Sequence, residues 1–181
     1  MLLQQLSRYP LSVFDRRIDV PTAICVVLID EAHERNFLFQ PGQNLALRYE
    51  DLDEAVIRDS AFISVGGAMA LPVLDGETGS PEKMAQALHK MGAANCVIKL
   101  GAQGCYVPAD GIEAHIPAFP CRCVDTTGAG DTFVGSFLYA KSQGWDTLAS
   151  ARFACAAGSV AVEHVGANTA IRSKDQVLAR I

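Results

Sequence analysis

Val124-Asp125-Thr126-Thr127-Gly128-Ala129-Gly130-Asp131-Thr132-Phe133-Val134-Gly135 is the stretch of the chain on which both fold and chemistry turn. Two glycines and an alanine stand just before an amphipathic run. The first turn of a helix leaves its backbone N–H groups without intrahelical acceptors, and glycine lets a ligand approach that backbone closely. The segment therefore reads as an anion cradle at the positive end of a helix. Fixed donors there stabilise charge that develops on a transferred phosphoryl group without having to reorganise. Asp131 fits anion binding alone poorly, because a carboxylate beside a phosphate repels it. Two readings of it stay open: a general base that takes the proton of an attacking hydroxyl, and an acid that merely favours the start of the helix.

Other glycine-rich readings fit less well. A P-loop needs G-x-x-x-x-G-K-[ST], a pattern found nowhere in the chain. A dinucleotide fingerprint needs a third glycine after Gly128-x-Gly130, where Phe133 stands, and it normally follows the first strand of a domain.

Outward from this stretch, three helices fill the C-terminal third. The first runs from about Asp131 to a stop at Gly144, the second has Asp146 as N-cap, and the third opens with the capping box Ser173…Gln176. On the N-terminal side, Asn95-Cys96-Val97-Ile98-Lys99-Leu100 is almost continuously apolar and predicts a strand buried on both faces of a parallel sheet. Gly101-Ala102-Gln103-Gly104 then turns the chain into Cys105-Tyr106-Val107, and Asp110-Gly111 predicts a hairpin turn before residues 112–116. Before the strand, Ser80 and Pro81 open a helix with an apolar stripe of Met84, Ala87, Leu88 and Met91, closed by Gly92. Nearer the N-terminus, β-branched and apolar residues 22–29 and 35–39 predict a hairpin across the polar residues 30–34. After it come a short helix over 49–57 and a short strand over 61–65 ending at Gly66-Gly67. The whole reads as one α/β domain, residues 1–181, with a β appendage.

Composition is ordinary for such a domain: 181 residues, 50% hydrophobic, 19% charged. A net charge of −5 argues against nucleic acid, whose binders cluster Lys and Arg against phosphates. No run approaches the roughly 18 apolar residues of a membrane span, and Met1-Leu2-Leu3-Gln4-Gln5 is no targeting segment, which predicts a cytoplasmic protein. The six cysteines include no C-x-x-C pair and read as buried, reduced thiols; Cys121-Arg122-Cys123 is the one close pair, with no histidine partners for a metal. His33, His89 and His115 are isolated, and His164 reads as an ordinary loop histidine. Lys99 either reaches a phosphate or points to solvent.

Asp125-Thr126-Thr127-Gly128-Ala129-Gly130-Asp131-Thr132-Phe133 closely resembles the C-terminal signature of the ribokinase-like (PfkB) carbohydrate kinases. Residues 97–104 resemble that family's strand and turn beside the nucleotide, and Gly166-Ala167-Asn168-Thr169-Ala170 resembles its late loop. Residues 22–44, with Glu34-Arg35 and Gly42-x-Asn44, resemble its lid hairpin. The resemblance implies a three-layer α/β core, incomplete here, that transfers the γ-phosphoryl group of ATP to a sugar or nucleoside hydroxyl. It makes Asp131 the base and Gly128, Ala129 and Gly130 the oxyanion cradle. It sets Lys99, Gly101, Gly104, Thr126 and Cys155 beside ATP, with Cys155 near the adenine. It gives Asp125 and the Thr127 carbonyl to a potassium-like cation, helped by carbonyls near Ala161, His164 and Gly166, with Ala170 where a serine ligand is frequent. ATP, magnesium and potassium are the implied cofactors.

Two of the family's blocks have no counterpart. One comprises the N-terminal strands with a Gly-Gly sugar motif and an early Asp; the other lies between Asp75-Gly76-Glu77 and Thr78-Gly79 and carries its D-x-N and N-x-x-E motifs. Missing strands predict exposed apolar surface, impaired catalysis and a homodimer through the lid hairpin. The alternative is a non-catalytic fragment that binds nucleotide or pairs with itself.

Overall fold

A computed structural model describes residues 4, 7–12, 19–29, 35–46, 48–64, 80–109 and 111–181 of the chain. They fall into two compact units, Met1–Ile63 and Ser64–Ile181.

In the first unit, β1 (Ile24–Ile29) and β2 (Arg35–Gln40) form the antiparallel hairpin expected from their β-branched and aromatic residues, in register from Ile24 opposite Gln40 to Ile29 opposite Arg35. The polar residues 30–34 between them lie outside the described residues. Consecutive positions Val26, Val27 and Leu28 are all exposed, as are Leu38 and Phe39, so both faces of the ribbon present apolar side chains. The helix expected over 49–57 is divided and shifted: Tyr49–Asp51 forms a 3₁₀ turn, and α1 (Glu54–Asp59) begins where Asp53 caps the N–H groups of Ala55 and Val56. An aspartate already positioned as N-cap starts the α-helix later than the apolar pattern suggests. Residues 61–64 are not strand, and Val65, Gly66 and Gly67 lie outside the described residues, as do residues 75–79.

The second unit is layered. On one side, α2 (Pro81–Lys90) sets Ala85 and Met84 against Ile98 and Tyr106; of its expected stripe, Met91 is 60% exposed. In the middle, β3 (Ile98–Lys99), β4 (Cys105–Ala109) and β5 (Ile112–Ile116) form a sheet in that order, antiparallel throughout. The parallel strand expected over 95–100 is therefore corrected: two residues pair, antiparallel to β4, and no parallel pair exists among the described residues. A continuous apolar run reports burial, not strand direction, and here Cys96, Val97 and Leu100 are covered without ladder bonds of their own. The β4–β5 hairpin sets Ala109 opposite Ile112, with Gly111 in the turn.

On the other side lie α3 (Ala129–Ser142), α4 (Thr147–Ala161) and α5 (Lys174–Leu178). Alternation along β4 explains the layers, because Tyr106 faces α2 while Cys105 and Val107 face α4. Helix α4 packs Ala151, Ala154 and Cys155 on the sheet and Phe153, Ala156 and Ala157 toward Ala140 of α3 and Val177 of α5. Caps follow the sequence with two adjustments. Asp146 accepts from the Ala149 N–H at 2.7 Å, as expected. Ser173 accepts from the Gln176 N–H, but the Gln176 side-chain oxygen Oε1 accepts from the N–H of Arg172, one residue before the cap. Helix α3 starts at Ala129 instead of Asp131, so Asp131 sits at its third position.

Two substitutions gauge this core. Phe153, 3% exposed and edge-on to Trp145 at 5.4 Å between ring centroids, fills the space between α4, α3 and α5. Phe153→Ala should cost about 3–5 kcal/mol in urea unfolding, and Asp146→Ala about 1 kcal/mol through loss of the cap.

Candidate active site

The loop before α3 is fixed at both ends. The Val124 and Asp125 N–H groups donate to the Val162 carbonyl at 2.7 and 3.1 Å, pinning the loop to the end of α4. The Asp125 carboxylate then gathers two segments: one oxygen accepts from the Thr127 N–H at 2.9 Å and the Thr127 hydroxyl at 2.6 Å, the other from the Gly166 N–H at 3.0 Å. Gly128 follows at φ +75°, pressed on the 166–167 backbone, where a Cβ would stand 2.6 Å from Ala167 Cα. Only glycine satisfies both that dihedral and that approach. Ala129 donates its N–H to the Thr126 carbonyl at 3.2 Å, whereas the N–H groups of Gly128, Gly130 and Asp131 find no acceptor among the described residues. The free donors are thus those three and not that of Ala129.

Lys99 ends β3 with its ammonium turned to this helix start: Nζ lies 3.1 Å from the place a Gly130 Cβ would take. A cation beside the positive end of a helix is unfavourable unless an anion lies between or beside them. Beneath them opens a cavity of about 390 Å³ lined by Lys99, Gly101, Gly104, Thr126, Ala129, Gly130 and Cys155 among others. All five residues expected beside the nucleotide line it. Gly104, at φ +92°, has no room for a side chain, since a Cβ would meet the Ala118 N at 2.6 Å. That close approach lays the 117–118 backbone along the 101–104 turn. Asp131 opens instead into a second cavity of about 390 Å³, with Thr132, Asn168 and Ala170. The start of α3 therefore stands between two cavities, with Ala129 and Gly130 facing one and Asp131 the other.

Sequence reasoning missed one wall of the first cavity, made by Ala118, Cys121, Cys123, Ser159 and Val162, and its expectation of buried cysteines is corrected: Cys105 and Cys155 are buried, but Cys25, Cys121 and Cys123 are exposed. Ser159 Oγ accepts from the Phe119 N–H at 3.1 Å. Glu163 accepts from the Arg122 N–H at 3.3 Å and pairs at 2.5 Å with Arg180, which also reaches the Pro120 carbonyl at 3.2 Å. The Arg180 guanidinium holds the Glu163 carboxyl below its ordinary value. Behind the cavity, Cys155 Sγ stands 3.6 Å from Cys105 Sγ, and this contact together with burial pushes the Cys105 thiol up. These partners are 17 to 60 residues apart, beyond any local sequence signal except the nearness of Cys121 to Cys123.

Of the residues expected at a cation, Asp125, Thr127 and Gly166 come together through the Asp125 carboxylate. The Ala161 carbonyl accepts the His164 N–H at 3.3 Å, and the exposed His164 ring lies with Nδ1 3.4 Å from the Val160 carbonyl oxygen. No group of three or more His, Cys, Asp or Glu side chains stands together as a metal site among the described residues.

Gly128→Ala should destabilise the chain and broaden the amide resonances of residues 125–131 and 166–168, because both φ and the contact with Ala167 resist a methyl group. A well-folded variant with unchanged spectra would contradict this packing. The Glu163 contribution has a definite pH sign. A carboxylate depressed in the folded state stabilises above its unfolded value, near 4.5, and loses that contribution as pH falls through the depressed value. Glu163→Gln should therefore lower the urea midpoint near neutral pH and match the parent chain at strongly acid pH.

The match to known proteins can now be set beside this geometry. Residues 73–174 match the family model of the pfkB family carbohydrate kinases. Ribokinase of Bacillus subtilis is 29% identical over 175 residues, which is 97% of this chain and 56% of that protein; the chain thus spans about half the length of such relatives. The crystal structure of a ribokinase from Thermotoga maritima superposes with a TM-score of 0.66 at 22% identity, over 91% of this chain and 71% of that one, and shares the fold. An aminoimidazole riboside kinase from Salmonella enterica, solved with aminoimidazole riboside and an ATP analog, superposes with a TM-score of 0.53 at 34% identity, over 60% of this chain and 39% of that one. No helix among the described residues is long and apolar enough to cross a membrane. With a family model matched over more than half its length, this chain of partial ribokinase fold belongs to the pfkB family of carbohydrate kinases.

Proposed function

We propose that the chain binds ATP in the Lys99–Cys155 cavity and transfers its γ-phosphoryl group to a hydroxyl of a sugar or nucleoside held near Asp131. The observation that carries this reading is the meeting of the Lys99 ammonium with the unpaired N–H groups at the start of α3, at one end of an apolar cavity. Two sets of positive charge face each other there, and a polyphosphate between them satisfies both. The apolar walls, with Cys155 at the back, suit the base. As charge shifts to the transferring group, the Gly128, Gly130 and Asp131 N–H groups hold it without reorganising. From the second cavity Asp131 accepts the proton of the attacking hydroxyl, so acceptor and donor meet across the helix start.

Asp125 fits a monovalent cation in one respect: it already draws Thr127 and Gly166 to a single carboxylate, so the segments that supply carbonyl ligands are gathered. A bound potassium ion would add positive charge beside the phosphates. Magnesium would arrive on the nucleotide, its charge offsetting that of the β- and γ-phosphates. We also propose that the β1–β2 ribbon acts as a lid and pairs with a second copy, a reading favoured by the exposed Ile24, Val26, Val27, Leu28, Leu38 and Phe39. Light scattering at micromolar concentration should show a dimer; a clean monomer refutes this part.

Calorimetry tests the central reading. ATP or ADP should bind the folded chain, and Lys99→Met should weaken binding about tenfold, or about 1.4 kcal/mol. Gly130→Val should weaken it further by displacing the lysine and covering the amides. In a coupled ADP-release assay over ketoses, aldoses and nucleosides, turnover should be slow, because the family's D-x-N and N-x-x-E segments have no counterpart. Asp131→Ala should lower it by a factor of about 10²–10⁴ while leaving nucleotide affinity intact. Folded protein that binds no nucleotide refutes the reading, and unchanged turnover in Asp131→Ala refutes the base.

A further inference from the structure

Three of the six cysteines line one cavity, and a fourth touches one of the three. Cys121 and Cys123 line it and are exposed, which puts them at its opening; Cys155 lines it from within, and Cys105 lies behind Cys155 with 3.6 Å between sulfurs. All are free thiols. Lys99 and Gly130 line the same cavity, and the Lys99 ammonium stands beside the helix start with its unpaired N–H groups. Arg122 lies between the two mouth thiols in sequence; burial and the nearby Glu163 carboxylate push the Cys121 thiol up, and Arg180, paired with Glu163, offsets part of that effect. The space that attracts an anion is thus bordered by two reachable sulfurs.

We propose that the Cys121/Cys123 pair is a modification site for an anionic low-molecular-weight disulfide, glutathione disulfide being the probe, whose adduct fills the cavity and excludes its ligand. The thiolate of one cysteine attacks a sulfur of the disulfide; a protein–glutathione S–S bond forms, the original S–S bond breaks, and one glutathione thiolate leaves. The tripeptide carries net negative charge, so it enters the cavity for the reason a polyphosphate does, and covalent capture holds it there. A reductant reverses the step. Exclusion of nucleotide rests on the reading of this cavity as the nucleotide site, whereas capture at the mouth does not.

The experiment uses the full chain, reduced and then treated with either glutathione disulfide or cationic cystamine, with each thiol mapped by mass spectrometry. Cys25, exposed on the hairpin of the first unit and absent from the lining of both cavities described above, is the internal reference. Glutathione should be favoured over cystamine at Cys121 or Cys123 more strongly than at Cys25, and Lys99→Met should reduce that preference. The adduct should slow alkylation of Cys155 by iodoacetamide and abolish ATP binding, with both effects reversed by reductant and absent from a Cys121→Ser/Cys123→Ser variant. No charge preference beyond that of Cys25, or an adduct that leaves Cys155 alkylation unchanged, overturns the proposal. If the adduct forms with that preference and shields Cys155 in a chain that never binds ATP, the modification site stands and the nucleotide reading falls. If ATP binds equally well with and without the adduct, the proposed exclusion falls while the nucleotide reading survives.

Discussion

Burial of α4 is the constraint on which the second unit depends. Most of its side chains from Thr147 to Ala161 are hidden, and alanine, serine and cysteine predominate among them. Small side chains let a helix be covered on several faces at once, so α4 meets the sheet, α3 and α5 together. The end of α4 then anchors the loop before α3 through the Val162 carbonyl, and its middle supplies Cys155 and Ser159 to the cavity wall. The position of the α3 start follows from this packing.

The electrostatic arrangement follows in turn. A helix start carries partial positive charge wherever its first N–H groups are unpaired, and Asp125 keeps that start exposed by bonding Thr127 and Gly166 instead of capping the helix. Lys99 adds a full charge from the sheet. Asp131, on the third residue of α3, lies on the far side of the partition. A carboxylate there gains from the helix dipole while bordering a different cavity from Lys99 and Gly130.

How much was legible in the chain can be judged from particular residues. Asp146 and Ser173 announce helix starts because capping is a bond between neighbours, and Gly111 and Gly128 announce turns because their dihedrals are local. That Lys99, Gly101, Gly104, Thr126 and Cys155 belong together was legible only through resemblance, and the fold brings all five to the lining of one cavity. The run 95–100 misled because hydrophobicity records burial and not which strand lies alongside. Asp53 was overlooked because a capping aspartate outweighs an apolar pattern of similar length.

By itself, then, the sequence determined that helices begin after Asp146 and Ser173, that the chain reverses near Gly111, and that a glycine-rich segment opens a helix. Tertiary structure alone decided that Lys99 turns toward Gly130, that Asp131 and Gly130 open into different cavities, and that Cys121, Cys123 and Cys155 border the same one. The physical reason is range. A cap or a turn is settled by residues within about four positions of each other, whereas the direction of a side chain at a sheet edge and the walls of a cavity depend on packing between segments that meet only after α4 is buried.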